Sequence, residues 1–263
     1  MLAMDRRYIW FTRITINGEL EIDDSFWTTC SKEEIFSRLI PFLVRQLRPG
    51  TLIDFIEGLS RQDARMYFDA FLSCKGFRER CSFLWLPYYG PESEQFLATL
   101  LEGDCNLQGL SLVLDWPHSE TVERLVLQFL GGRPCRLDIY DQSDASPHAV
   151  GNLRLNSTIL KALFDAWYRK EKFGHFGVCA NWDGDLEPVL SIPVPPNVTR
   201  TQLKPKKQED NIFPMPEIKY YILWTREDES ALVCVIRSTT VEFTTRQPMI
   251  EMFKEYDEMN VTV

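Results

Sequence analysis

The chain is poor in histidine, the residue that most often serves as a metal ligand or as a general base near neutral pH. It has only three, His118, His148 and His175, and none stands at zinc-ligand spacing from another histidine or from a cysteine. Glycine-rich phosphate loops, a G-x-S-x-G elbow and an H-E-x-x-H helix are also absent. We therefore expect a protein that is not an enzyme and that has no catalytic, cofactor-binding or metal-binding residues. The alternative is an enzyme whose cleft is built from loops, for example with Cys179 near His175.

Long apolar runs and closely paired cysteines are missing as well. No segment suits a signal peptide or a membrane span, and the seven cysteines are scattered without a C-x-x-C pair. Free, mostly buried thiols are typical of a reducing compartment, so we expect an intracellular, cytoplasmic protein without a membrane partner. Basic residues number 29 against 38 acidic ones, for a net charge of −9. This balance disfavours nucleic-acid binding, which needs a positive field to neutralise phosphates.

The clearest positive signal is a strand followed by a helix over residues 110–131. Three leucines alternate at the start of this segment within a nearly continuous apolar run, as in a strand that is covered on both faces. Ser119 can cap the helix that follows, and Gly131 can end it. The apolar residues that share one helix face, at i, i+3, i+4 and i+7, are Val122, Leu125, Val126 and Phe129.

The same pattern of one strand and one helix recurs along the chain. The other predicted strands of this kind are Thr51–Ile56, Ser82–Leu86 and Cys135–Tyr140. The glycines that end successive helices, Gly76, Gly103 and Gly131, are spaced by 27 and 28 residues, a period within the leucine-rich-repeat range. An ordinary open α/β sheet would show the same alternation. We predict an α/β fold, namely a short leucine-rich-repeat-like array of parallel strands and helices.

Both ends of the predicted array carry elements that would cap its edges. At the N-terminus we predict a β-hairpin over Tyr8–Ile22 with an Asn17-Gly18 turn. A helix with a capping box at Ser31 follows, and Pro41 should kink it. At the C-terminus the predicted antiparallel strands are Tyr220–Thr225, Ala231–Arg237 and Thr240–Thr244.

The organisation that follows has four segments. An N-terminal hairpin and capping helix occupy residues 1–48, and the strand–helix repeat domain occupies residues 49–192. Around the end of that domain, residues 176–194 predict a further hairpin with a turn at Asp183-Gly184-Asp185. Residues 193–216 are rich in proline and predict a linker or long loop, and residues 217–263 predict a β segment that packs on the same domain.

Large aromatic residues stand near the ends of three successive predicted strands, where open α/β sheets bind ligands. Tryptophan and tyrosine are also common interface anchors. We predict a protein-binding surface formed by these rings and by the polar residues among them: Trp85, Tyr88, Tyr89, Asp115, Trp116, His118, Tyr140 and Asp141. The alternative is that some of the rings only cover the end of the sheet.

The closing segment, YYILWTREDESALVCVIRSTTVEF, resembles the end of a nematode-expanded family of F-box-associated proteins. In that family a strand ending W-x-R-x-(D/E) turns into a second strand, and a third strand ends in an aromatic residue. The matching positions here are Trp224, Arg226, Asp228, Leu232, Val233 and Phe243. The helix end FDAWYRKEKFG, Phe164 to Gly174, is similar too, so the resemblance covers about the last two-thirds of the chain.

The resemblance implies a protein-recognition module with a leucine-rich, repeat-like substrate-binding region that serves ubiquitin-dependent turnover. Such proteins bind a protein partner and open with an F-box, a leucine- and proline-rich segment of three helices. The present sequence shows a predicted hairpin and one helix in place of a recognisable F-box. Docking to a ubiquitin-ligase scaffold is therefore not expected here, although a protein partner is.

Overall fold

A computed structural model describes residues 11–17, 30–56, 58–103, 105–140, 152–170, 175–203, 217–246 and 250. The chain divides into two units, residues 1–113 and residues 114–263. Both units combine strands and helices, which confirms the α/β class. Within the described residues no helix is long and apolar enough to cross a membrane.

Four parallel strands form the sheet of the first unit. They are β1 (Phe11–Ile16), β2 (Leu47–Phe55), β3 (Cys81–Pro87) and β4 (Gly109–Val113), and each pairs with the next. The strands predicted to begin at Thr51, Ser82 and Leu110 are therefore adjacent and parallel, as expected. The described part of the predicted N-terminal hairpin, β1, lies parallel to β2; the turn at Gly18 and the residues after it lie outside the described residues.

The described residues of the first unit contain six helical segments. They are α1 (Lys32–Glu34), a π-helical segment (Ile35–Leu39), α2 (Ile40–Arg45), α3 (Arg61–Ser73), α4 (Phe77–Arg80) and α5 (Pro91–Leu101). Ser31 and Glu34 form the predicted capping box. The predicted kink at Pro41 takes the form of the π-helical segment, in which the Ile40 N–H donates to the carbonyl oxygen of Ile35. Proline has no N–H to continue the regular ladder.

Aromatic packing holds α3 and α5 against one side of the sheet. The Phe55 ring of β2 lies 5.1 Å from Phe68 and 6.0 Å from Phe71, both on α3, and 5.9 Å from Phe96 on α5, measured between ring centroids. Phe68 and Phe96 also stack on each other at 4.3 Å. Side chains alternate along a strand, so the residues on either side of Phe55 in sequence point to the opposite face.

The sheet of the second unit has six strands in the order β5-β6-β10-β9-β8-β7. They are β5 (Arg136–Tyr140), β6 (Gly177–Asn181), β7 (Val198–Leu203), β8 (Ile218–Arg226), β9 (Ala231–Arg237) and β10 (Thr240–Thr244). Only β5 and β6 are parallel, and the other neighbours are antiparallel. The predicted C-terminal antiparallel strands are thus confirmed.

The helices with described bounds in the second unit are α6 (Glu120–Gly131), α7 (Ser157–Tyr168) and α8 (Glu187–Leu190). Ser119 caps α6 as predicted, and Asn156 caps α7; each side chain accepts a hydrogen bond from a backbone N–H group. Phe164 of α7 lies 5.8 Å from Trp224, which in turn lies 6.2 Å from Phe243. These rings anchor α7 on one face of the antiparallel strands.

Two predictions in this unit need correction. The hairpin over residues 176–194 is wrong, because its second half is α8 and β6 pairs instead with β5 and β10. Asp183 and Asp185 accept hydrogen bonds from backbone N–H groups two residues ahead, and a proline in the first turn favours helix over strand. Within the predicted linker or loop at 193–216, residues 198–203 form β7, which pairs with β8.

Candidate functional site

The predicted aromatic surface is divided between the two units. In the first unit, Trp85 lies in the middle of β3 rather than at its end. Tyr88 and Tyr89 follow this strand. The Tyr88 hydroxyl donates to Glu94 Oε1 at 2.9 Å, and the Tyr89 hydroxyl donates to the Ile56 carbonyl oxygen at 2.7 Å. These two tyrosines are half-buried and fixed by their own surroundings.

In the second unit, Trp116 is only 2% exposed, which favours the alternative that its ring covers the sheet end. Its carbonyl oxygen accepts from the Leu153 N–H at 2.7 Å. Asp115 and His118 are exposed, Tyr140 is the half-buried last residue of β5, and Asp141 lies outside the described residues. That all eight residues form one protein-binding surface stays a prediction.

The strand register creates a different surface in the first unit, on the side of the sheet opposite α3 and α5. We call it the four-strand face. One row across β1 to β4 joins Arg13, Leu52, Phe83 and Gly109, and the next row joins Thr15, Asp54, Trp85 and Ser111. Leu52, Phe83 and Trp85 are half-buried and Arg13 is exposed. The face therefore combines neighbouring apolar and aromatic side chains with a charged edge.

Two contacts order the four-strand face. Arg13 donates to Asp54 Oδ2 through Nε at 3.1 Å and also through Nη2. The Asp54 side chain is 5% exposed, whereas that of Arg13 is 61% exposed. The Phe83 ring lies over Gly109, where an added Cβ would come within 2.7 Å of Phe83 Cε1. Glycine at this position therefore lets the ring approach the neighbouring strand closely.

A pocket of about 170 Å³ opens on the second unit, on the strand face to which Asp138 and Cys179 point. Its floor has one row formed by Arg136, Gly177 and Thr244 and a second formed by Asp138, Cys179 and Glu242. The other residues that line it are Tyr140, His175, Val178, Phe243 and Arg246. We refer to it as the β5–β6–β10 pocket.

The charged groups of this pocket are largely arranged in pairs. Arg136 Nε donates to Asp138 Oδ2 at 2.6 Å, and Arg237 Nη1 donates to Glu242 Oε2 at 3.3 Å. Asp138 is 3% exposed, so its carboxylate depends on Arg136 for charge compensation. Arg246 and His175 line the same pocket and are exposed.

Ionisation of the Cys179 thiol and of the Tyr140 hydroxyl is suppressed in the pocket. Burial raises the pKa of the Cys179 thiol, and burial together with a hydrogen bond to Cys179 raises the pKa of the Tyr140 hydroxyl. Partial burial, and then the positive charges of Arg246, Lys170 and Arg136, lowers the pKa of His175. Near neutral pH the thiol, the phenol and the imidazole are all uncharged. The pocket therefore holds no thiolate nucleophile at Cys179 near neutral pH.

Of the eight predicted residues, Trp85 lies on the four-strand face and Tyr140 lines the β5–β6–β10 pocket. The other residues of both surfaces were not predicted, because only the strand ends, and not the strand faces, gave a signal. Asp54 in TLIDFI and Asp138 in CRLDIY each interrupt an apolar strand, and a buried charge in such a place needs a partner. Period-two alternation already places Arg136 and Asp138 on one face. Cys179, expected in the core, points into the pocket because Val178 and Ala180 take the buried side of β6.

The described residues contain no group of three or more histidine, cysteine, aspartate or glutamate side chains that could hold a metal ion. Comparisons of the chain with protein-family models, with curated proteins and with solved structures found no match. The two surfaces, and not a likeness to a known protein, are therefore the basis for a function.

Proposed function

We propose that this chain is a non-catalytic protein-recognition module and that the four-strand face is its binding surface. The observation that carries the proposal is the register of β2 and β3, which sets Leu52 beside Phe83 and Asp54 beside Trp85. Aromatic residues and arginine are the types most enriched at binding hot spots. Trp85 and Arg13 occur together on this face, and Arg13 is oriented by its bond to Asp54.

The test uses Trp85→Ala, with Tyr67→Ala as the matched control. Tyr67 is likewise half-buried, but it lies on α3, where its ring centroid is 5.0 Å from that of Phe36. Proteins that co-purify with the tagged chain are identified by mass spectrometry, and the affinity of the best partner is then measured for each variant. We expect Trp85→Ala to weaken binding by about 2 kcal/mol, a typical hot-spot loss. Equal affinities for Trp85→Ala and Tyr67→Ala at equal folded fractions would contradict the assignment of this face.

A role in ubiquitin-dependent turnover is the more specific form of the proposal, and it rests on the resemblance of the closing segment to F-box-associated proteins. The same purification tests it, because recovery of ubiquitin-ligase scaffold subunits together with a substrate would support it. If a partner binds through the four-strand face but no ligase subunit is recovered, the recognition role is supported and the role in turnover is not. The free cysteines of the described chain support an intracellular, cytoplasmic setting, which fractionation of cells would test.

We also propose that the strand–helix units are leucine-rich-repeat-like. The parallel pairing of β1 to β4 and the common packing side of α3 and α5 support this view. Units of a repeat array contact mainly their neighbours, so the array should open from an end rather than all at once. Hydrogen exchange under native conditions would show graded protection from β1 to β4 in that case. Uniform protection across the four strands would contradict a repeat array.

The alternative function is an enzyme, and the β5–β6–β10 pocket is the feature that favours it. Retention of a small-molecule cofactor during purification would support that view. The uncharged state of Cys179 and Tyr140 weighs against nucleophilic chemistry at this place, because a thiolate is the reactive form of cysteine. Binding of a ligand is the simpler use of the pocket.

A further inference from the structure

The floor of the β5–β6–β10 pocket is open above Gly177. This residue pairs with Arg136 on one side and with Thr244 on the other, so a residue without a side chain stands between two that have one. A Cβ added at Gly177 would meet only the Phe243 carbonyl oxygen, at 3.8 Å, which is ordinary contact. The pocket volume of about 170 Å³ is close to that of an engineered cavity that binds benzene, about 150 Å³. A group of a few heavy atoms therefore fits.

The charges around this floor are unequal. Both carboxylates of the pocket are already engaged, Asp138 by Arg136 and Glu242 by Arg237. The guanidinium of Arg246 has no ion pair or hydrogen bond within the described part of the chain. Arg136 donates to Asp138 through Nε, and half of its side chain is exposed. Positive charge is thus left over at one end of the pocket.

The lowered pKa of His175 is consistent with this excess of positive charge. Partial burial lowers its pKa, and Arg246, Lys170 and Arg136 lower it further, which means that the imidazole lies in a positive field. Asp138 and Glu242 also line the pocket but are held by their own arginines. An anion placed here would receive charge-assisted hydrogen bonds from guanidinium groups, which are about twice as strong as neutral ones.

We propose that the β5–β6–β10 pocket binds a compact anionic group, a carboxylate or phosphoryl group, over Gly177 and between Arg136 and Arg246, with His175 beside them. A metal cation would find both carboxylates occupied, and an apolar ligand would have to desolvate two arginines. The site is separate from the four-strand face and does not depend on it.

Inorganic phosphate and acetate are the probes, and chloride at equal ionic strength is the control for screening. Binding is followed by NMR at the His175 ring and the Gly177 amide in the full chain. Arg246→Gln removes the charge that has no partner among the described residues, and Gly177→Val fills the floor while leaving every charge in place. The matched control is Arg124→Gln, which removes an exposed arginine of α6 that does not line the pocket. We expect saturable shifts with phosphate or acetate, weakened at least tenfold by Arg246→Gln and by Gly177→Val and unchanged by Arg124→Gln.

Shifts that chloride reproduces, that do not saturate, or that persist unchanged in both pocket variants would overturn the proposal. A second arm compares free phosphate and acetate with O-phosphoserine and an N-acetylated glutamate amide, which carry the same anions on a peptide-like backbone. Tighter binding of the backbone-linked anions assigns the site to an acidic side chain of a polypeptide. Tighter or equal binding of the free ions assigns it to a free small anion. Trp85→Ala should leave all of these affinities unchanged, so this site and the four-strand face fail or succeed independently.

Discussion

Replacing Gly109 by alanine tests the geometry of the four-strand face directly. The new methyl carbon would lie 2.7 Å from Phe83 Cε1 and 3.3 Å from Cγ, with Cδ1 closer still. The ring or the strand must therefore move, and overpacking of this kind costs about 1–3 kcal/mol. Loss of glycine entropy in the unfolded chain offsets this by about 0.4–1 kcal/mol. We expect a net loss of about 1–2 kcal/mol in the free energy of unfolding.

Urea unfolding of four variants, Gly109→Ala, Gly177→Ala, Phe83→Ala and the Phe83→Ala/Gly109→Ala double variant, measures this effect and isolates its cause. Gly177→Ala is the control, since its Cβ meets only the Phe243 carbonyl oxygen at 3.8 Å and should cost nothing. In a Phe83→Ala background the penalty of Gly109→Ala should disappear, because the ring that it strikes is gone. The reasoning is refuted if Gly109→Ala is as well tolerated as Gly177→Ala, or if its penalty survives the loss of the Phe83 ring.

Three further predictions concern single residues. Trp116 is 2% exposed, so Trp116→Ala should lower the free energy of unfolding by about 3–5 kcal/mol, the cost of truncating a buried ring. Melting and binding assays check this, and a loss of partner affinity without a loss of stability would show that Trp116 belongs to an interface instead. Exposed Cys30 should react first with a thiol reagent near pH 8, while Cys234, whose pKa burial raises, stays unmodified in the native state by mass spectrometry; early labelling of Cys234 would contradict this. The pKa of His175 is lowered in the folded protein, so the contribution of this residue to stability is present above pH 6.5, the ordinary pKa of histidine, and is lost as the pH falls below that value. His175→Gln should therefore flatten this part of the pH profile of stability, as measured by urea unfolding. An acid slope that is the same in the variant would contradict the lowered pKa.

Local signals in the sequence were sufficient for the strand–helix alternation and for the helix starts. Ser119 caps its helix as predicted, because a cap depends on residues within one turn of each other. The capping box at Ser31 is a signal of the same kind. The hairpin predicted around Asp183-Gly184-Asp185 failed because the turn signal was right but the apolar residues after it continue into a helix. Turn residues mark where a chain bends and do not specify the element that follows.

The candidate surfaces depend on contacts between distant residues, which a single sequence does not specify. Asp54 is bound by Arg13, 41 positions away, and only the register of β1 on β2 brings the two together. Phe83 lies over Gly109 for the same kind of reason. Strand pairing is set by the packing of whole faces, so neither partner can be read from the residues around the other.

The four-strand face and the β5–β6–β10 pocket share an arrangement of charged residues that favours the proposed recognition role over simple stability. On each, a buried aspartate holds an arginine that remains half-exposed: the side chains of Arg13 and Arg136 are 61% and 50% exposed, against 5% and 4% for those of Asp54 and Asp138. A buried carboxylate is costly, and replacing such a pair by apolar residues is often neutral or stabilising. A sheet face made only of apolar residues, however, would expose a patch that binds or aggregates without selectivity. An arginine already fixed by a buried carboxylate loses less side-chain freedom when it meets a ligand, so more of its interaction energy is available for binding.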